Sequence, residues 1–248
     1  MTQDITGRGD PIKTLQLLWG KVPEAKRGPK PKLDIETLVA AAIRLADTEG
    51  LEAVSTRRVA ELVGISPMSF YTYVPGKDEL LDLMVDRVHA EFVPTRGPGW
   101  RARLSDLAHQ YWDFHLRHPW LRQAATHRAV LGPNVMAAWE IGLASIDGYG
   151  LGEVELDMVV TSIAAFVSGA VGGAAREKMV KDTTGMSDEQ WWLASAPFLE
   201  TLDYSPYPIA SRVGPVMGEL YGAHAPIETF EFGLKLLLDG LEGVVESR

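Results

Sequence analysis

Three observations predict an all-α protein built from two unequal helical parts. Apolar residues recur at spacings of three and four through most of the 248 residues. Helix start signals (Ser, Asp, Pro) precede these runs and helix stop signals (Gly, Pro) follow them. No strand-like alternation of useful length occurs, and no internal repeat. A chain of this length buries a sizeable core, as one large domain or as a small domain joined to a larger one. Cysteine is absent, which excludes disulfide scaffolds, cysteine-ligated zinc, iron–sulfur clusters and thiol nucleophiles.

Residues 1–33 open with an amphipathic segment over 12–19, expected to dock as a helix on the body. The basic, proline-rich run KVPEAKRGPKPK follows, in which Pro23, Pro29 and Pro31 forbid a regular helix. Lys26, Arg27, Lys30 and Lys32 suit phosphates or a narrow minor groove, and a solvated linker is the other reading of the same residues. The first twenty residues lack a basic start followed by a long apolar run, so no secretion signal is expected and the protein is placed in the cytoplasm.

Asp34 then caps a long helix with the apolar stripe Leu38, Ala41, Ala42, Leu45 and Ala46, stopped by Gly50. Residues 55–77, STRRVAELVGISPMSFYTYVPGK, predict two short helices meeting at a glycine turn. Val59, Leu62 and Val63 mark the first, Gly64 breaks it, and Ile65 plugs the turn. Ser66 caps the second and Pro67 suits its first turn. Phe70 and Val74 supply its inward face, leaving Met68, Ser69, Tyr71, Thr72 and Tyr73 outward. So small an apolar share gives this helix little reason to exist for packing alone, which points to an external partner. A further helix over 78–92 buries Leu80, Leu81, Met84, Val85 and Val88. Pro94, Gly97, Pro98 and Gly99 then mark a domain boundary.

Beyond it the pattern predicts helices over 101–117, 121–130, 134–148, 153–178 and 226–245. Between the last two lies a turn-rich section whose single helical piece spans 187–198. Trp139 is expected to face inward with Val135, Leu143 and Ile146. The run 158–175 approaches membrane-spanning length, but Thr161, Ser162, Ser168 and three glycines dilute it, so a buried interface helix is expected and no membrane contact.

The net charge of −9 argues at first against a nucleic-acid partner. Its distribution answers that objection. Residues 1–33 carry 7 Lys/Arg against 3 Asp/Glu, and 34–92 carry 5 against 11. Within 55–77 itself Arg57, Arg58 and Lys77 oppose only Glu61.

Residues 34–91 resemble the DNA-binding domain of the tetracycline-repressor (TetR) family. The features that carry the resemblance are the Ala-rich first helix, STRRVAELVGIS, the following helix with Phe70 and Tyr71, and VPGKDELL, in order over about 60 residues. The remainder, with HPW at 118–120, a Gly-rich helix and FEFGLKLLLDGLEG, is similar to the family's ligand-binding domains. The resemblance implies a helix-turn-helix DNA-binding domain over 34–92 and a helical ligand-binding and dimerisation domain over 100–248. It also implies a homodimer that reads double-stranded DNA at a palindromic operator and answers to a small-molecule effector, apolar or aromatic, as a transcriptional repressor. By position, Thr56, Arg57 and Lys77 would hold phosphates, Met68, Ser69 and Thr72 would face bases, and Tyr71 and Tyr73 would face the backbone. One departure stands out: the recognition helix has no Arg, Lys, Asn or Gln for bidentate base contacts. Thymine-methyl contact by Met68, single hydrogen bonds at Ser69 and Thr72, DNA shape and the basic arm are expected to share the task.

The resemblance places an effector pocket among the middle helices, with Trp112, His115, Trp139, Thr161, Ser162, Phe166 and Trp192 as candidate ligand contacts. Ser168, Gly169, Gly172 and Gly173 are small residues fit for a close helix approach, within the subunit or between subunits, and the resemblance implies a four-helix dimer contact with the C-terminal helix there. His115 and His118 lack the carboxylate pattern of a metal site and are read as capping or surface residues, and no metal or cofactor is expected. No nucleophile elbow, phosphate-cradling loop or HExxH supports an enzyme. A small-molecule-binding protein without DNA binding is the remaining alternative.

Overall fold

Side-chain caps set where most helices of the N-terminal half begin. The computed structural model describes residues 4–21, 33–124, 128–222 and 225–247, with backbone only over 175–179. Asp10 accepts from the amides of Ile12 and Lys13 and starts α1 (Pro11–Leu18). Asp34 caps α2 (Ile35–Glu49), Ser55 caps α3 (Thr56–Leu62) and Ser66 caps α4 (Pro67–Phe70). Next come α5 (Lys77–His89), α6 (Gly99–Arg117), a 3₁₀ turn at Pro119–Arg122, α7 (Pro133–Ala144) and α8 (Glu153–Thr184). Last are α9 (Asp188–Leu199), α10 (Pro208–Tyr221) and α11 (Pro226–Glu246). The fold is all-α, with no strand among the described residues.

The chain forms two compact units, Met1–Val160 and Thr161–Arg248, divided within α8. α7 packs on α5 and so belongs with the N-terminal helices in the first unit. In the first unit α1, α2 and α7 surround α5, which is therefore buried on nearly every side. Leu80, Leu81, Met84, Val85 and Val88 supply its apolar contacts. Its acids Glu79, Asp82 and Asp86 are buried too, and each accepts hydrogen bonds from the backbone of a neighbouring segment. A buried carboxylate is costly unless satisfied in this way.

Several expectations are corrected. Of the helix expected over 121–130, residues 125–127 lie outside the described residues, and the described ones show only the end of the 3₁₀ turn, with Arg128 and Leu131 offering their carbonyls to Thr6 and the Trp19 indole. α7 stops at Ala144, where the buried Ser145 hydroxyl turns back to Ile141 O, and Gly148 and Gly150 follow at positive φ. Trp139 faces outward on α7, whose buried face is Ala138 and Gly142. α8 continues six residues past 178, to Thr184, until Gly185 at φ 70° ends it. The section read as turn-rich contains α10, a helix hidden in the sequence by Gly214, Pro215 and Gly218. Leu62 is exposed, because α3 buries only Val59 and Ala60.

In the second unit Phe166 stacks on Phe230, ring centroids 6.0 Å apart. α9 and α10 meet where the Trp192 ring lies against Gly218, leaving no room there for a β-carbon. α11 buries Phe230, Leu234 and Leu238 and leaves Ile227, Phe232, Leu236, Leu237 and Val244 exposed. By length and composition α8 could cross a membrane. Its buried residues Val160, Ile163, Val167 and Val171 instead form one stripe at helical spacing, as in a helix packed on a protein core.

Candidate nucleic-acid interface

Three short-range devices build the interface on α3 and α4. Ser55 Oγ accepts from Arg58 N at 3.2 Å and fixes the start of α3. Gly64, at φ 72°, makes the turn, a conformation that other residues adopt only with strain. The Ile65 amide then reaches back to Ala60 O at 3.0 Å. Ser66 Oγ accepts from Ser69 N at 3.1 Å and starts α4, whose single turn is anchored by the fully buried Phe70 and, just beyond, Val74.

The rest of α4 and the residues just after it face solvent wholly or in part. Met68 is 77 % exposed, and Tyr71 and Thr72 are exposed beside it, with Ser69 and Tyr73 half-buried. Thr72 Oγ1 donates to Ser69 O at 2.6 Å. Its proton is thereby used, and what it presents outward is an acceptor lone pair and a methyl group. The Ser69 hydroxyl lies 2.8 Å from that of Ser66. Tyr71 OH lies 3.4 Å from Thr56 Oγ1, which brings two expected backbone-contacting residues side by side.

Two of the side chains expected to hold phosphates, Arg57 and Lys77, are paired within the chain, and so is Arg58. Arg57 bonds Glu61 at 3.0 Å along α3, and Arg58 bonds both oxygens of Glu49 at 2.7 Å. Lys77 Nζ, at the start of α5, meets Asp4 Oδ2 at 3.0 Å. Asp4 begins a strap, residues 4–10, that sequence reasoning missed. Gly7 N donates to Asp82 Oδ1 at 2.9 Å, and Arg8 approaches Asp78 at 3.8 Å. Asp10 N donates to Glu79 Oε1 at 3.3 Å. The available signal was the spacing of Asp78, Asp82 and Asp86, four apart on one helix, with Asp82 set among the apolar residues Leu80, Leu81, Leu83 and Met84. Burial pushes the Asp82 carboxyl up to about 6, against the opposing Gly7 amide. Lys26, Arg27 and Lys30 lie outside the described residues.

A second cluster joins the end of α5 to α6. Buried His118 places Nδ1 2.7 Å from Asp47 on α2 and Nε2 3.0 Å from Glu91, just beyond α5. It is the C-cap residue of α6, its amide donating to Phe114 O at 3.0 Å, but its ring is buried and not at the surface. The Trp120 indole donates to the same Asp47 oxygen at 2.8 Å, and Arg117 holds the other Glu91 oxygen at 2.9 Å. Phe92 packs on Tyr111 and Phe114, centroids 4.8 and 4.9 Å apart. Among the described residues no group of three His, Asp or Glu side chains is arranged to hold a metal.

The candidate effector residues fall in both units. In the first, Trp112 is buried on α6 and His115 lies one turn further on. Burial lowers the His115 ring to about 4, so it is neutral, and its Nδ1 is buried with no hydrogen-bond partner. Trp139, on α7, donates to Asp157 at 3.0 Å. In the second unit Thr161 and Ser162 are exposed on α8, while Phe166 and Trp192 make the packing contacts described above.

Comparison with known proteins places this geometry. Residues 38–84 match the family model of bacterial regulatory proteins of the tetR family, and residues 93–245 match the tetracyclin repressor-like C-terminal domain. The chain is 40 % identical over 255 residues to the HTH-type transcriptional repressor DrrR1 of Streptomyces coeruleorubidus, covering 99 % of this chain and 90 % of that one. It is similar in structure to apo ActR of Streptomyces coelicolor, with a TM-score of 0.68 and 26 % identity over 87 % of this chain and 99 % of that one. ActR in complex with actinorhodin superposes with a TM-score of 0.70 at 24 % identity, over 87 % and 99 % of the two chains. With both family models matched in order and a repressor related along its whole length, the chain belongs to the tetR family of bacterial regulatory proteins.

Proposed function

We propose that this protein is a cytoplasmic transcriptional repressor that binds a palindromic operator as a homodimer and leaves it when a small-molecule effector binds. The observation that carries the reading is the outward face of α4: a single helical turn, anchored by Phe70 and Val74, that presents Met68, Tyr71 and Thr72 to solvent. Thr56, Arg57 and Lys77 are the proposed phosphate contacts, with Tyr71 and Tyr73 alongside. Met68, Ser69 and Thr72 are the proposed base contacts. With its proton used internally, Thr72 would accept from an adenine or cytosine amino group and touch a thymine methyl. Without long hydrogen-bonding side chains on α4, much of the sequence preference is assigned to DNA shape and to the basic arm with Lys26, Arg27 and Lys30.

The repressor DrrR1 and the ligand-bound ActR support the regulatory and effector halves of this reading. Within the first unit the effector contacts are proposed at Trp112, His115 and Trp139. The unpartnered His115 Nδ1 is a fixed polar point for a largely apolar or aromatic molecule. From α6 the Asp47–His118–Glu91 bridge leads to α2 and the end of α5. A shift of α6 would thus be felt by the helices that carry α4, moving two recognition helices out of register with grooves about 34 Å apart. Dimerisation is assigned to α8 and α11, because the outer face of α11 exposes Ile227, Phe232 and Leu236. Operator selection from random DNA tests the proposal: recovery of a palindrome supports it, and recovery of no preferred sequence leaves only a small-molecule-binding protein.

A further inference from the structure

We propose that the strap at residues 4–10 is an autoinhibitory clamp, in which Asp4 occupies the Lys77 ammonium that an operator phosphate must take. The inference rests on the reading of Lys77 as a phosphate contact. Asp4 and Lys77 are 73 positions apart in sequence and meet at 3.0 Å, with side chains 25 % and 33 % exposed. Arg57 and Arg58, by contrast, are paired by Glu61 and Glu49, which lie within the same few helices. Those are surface pairs on mobile side chains, and they rearrange at little cost.

Asp4 is held differently. The strap that carries it is fastened at points that do not involve Lys77. Thr6 Oγ1 donates to Arg128 O at 2.8 Å, Arg128 Nη1 donates to Gly7 O at 3.1 Å, and Gly7 N donates to the buried Asp82 at 2.9 Å. Further along, Asp10 N reaches Glu79, and Trp19 Nε1 reaches Leu131 O at 2.9 Å. A residue two positions from a fixed point can lie no more than about 7 Å from it, at about 3.3–3.6 Å per residue. The carboxylate therefore stays at high effective concentration beside Lys77. An arriving phosphate meets a like charge in its place and must displace Asp4 or share the ammonium with it. The strap thus sets how many cations the interface offers, and a change that frees the strap would raise operator affinity.

The test compares the full-length protein with D4N, K77A and D4N/K77A on the palindrome recovered with the wild type, titrated across salt concentrations. Expected is weaker binding by K77A, with a salt slope shallower by about one per protomer. D4N should bind roughly three- to tenfold more tightly with a steeper slope, and D4N should change nothing once Lys77 is absent. If K77A weakens binding while D4N does not strengthen it, the clamp is overturned and the phosphate contact stands. If D4N strengthens binding equally in the K77A background, the effect is general charge repulsion and the clamp is again overturned. If K77A leaves affinity unchanged, both readings fall.

Discussion

His115 and His118 are three residues apart and behave in opposite ways. His118, 5 % exposed, has a carboxylate at each ring nitrogen and so ties α2 to the end of α5. His115 has no partner at Nδ1 and is kept neutral by burial, its pKa lowered from 6.5 to about 4. Its folded value lies below its unfolded one, so as pH falls the unfolded chain binds the proton first. The stability that neutral His115 contributes is complete above about pH 6.5 and is lost progressively toward pH 4. Asp82 has the reverse sign: its folded value is raised to about 6, so its contribution is full at low pH and declines as pH rises through 6. A His115→Leu variant keeps Asp82 and removes only the histidine. It should lose roughly 1–2 kcal/mol less stability than the wild type between pH 7 and pH 5, measured by urea unfolding. Identical pH slopes would show that His115 titrates normally in the folded protein.

At the scale of elements, the helices whose signals are local were legible in the sequence. Asp34 and Gly50 bound α2, and Ser55, Gly64, Ser66 and Pro67 bound the two short helices, because caps and turns are decided within a few residues. That the residues around Phe70 and Val74 face outward followed from the same pattern, since these two leave the rest of α4 no core to enter, while their DNA-contacting roles came only from the resemblance. What the sequence concealed depends on distant partners. α10 contains glycine at 218 because the Trp192 ring of α9 needs that space, and Gly214 and Pro215 further masked its period. Nothing local in the sequence shows that Glu79, Asp82 and Asp86 of α5 are buried acceptors for other segments. Asp86 is the clearest case: it accepts from the amides of Asn134 and Val135 and from the Asn134 side chain at 2.8–3.0 Å, capping α7, which has no cap of its own. Asp86→Ala should therefore cost about 2–3 kcal/mol, read as a lower urea midpoint, because it strands buried N–H groups at the first turn of α7. A change below about 0.5 kcal/mol would mean that water satisfies those groups equally well.

For the whole molecule, an acidic protein is proposed to bind an acidic polymer. Much of the acid on α5 is occupied by backbone amides, and the cations of the interface are paired until DNA competes for them. The proposed dimer doubles that interface. Gly172 is buried within the chain, so it is a poor probe of association, whereas among the described residues nothing outside its own helical backbone lies within 4 Å of a β-carbon added at Gly169. Gly169→Trp should leave the helical circular dichroism intact and shift sedimentation from dimer to monomer, and a surviving dimer would remove this face of α8 from the contact. The central claim is operator binding through α3 and α4, and titrating the selected palindrome against its isolated half-site over a range of salt tests it most directly. The account predicts two protomers per palindrome, much weaker binding to the half-site, and affinity falling steeply with salt. Equal, salt-insensitive binding to palindrome, half-site and unrelated DNA would contradict it.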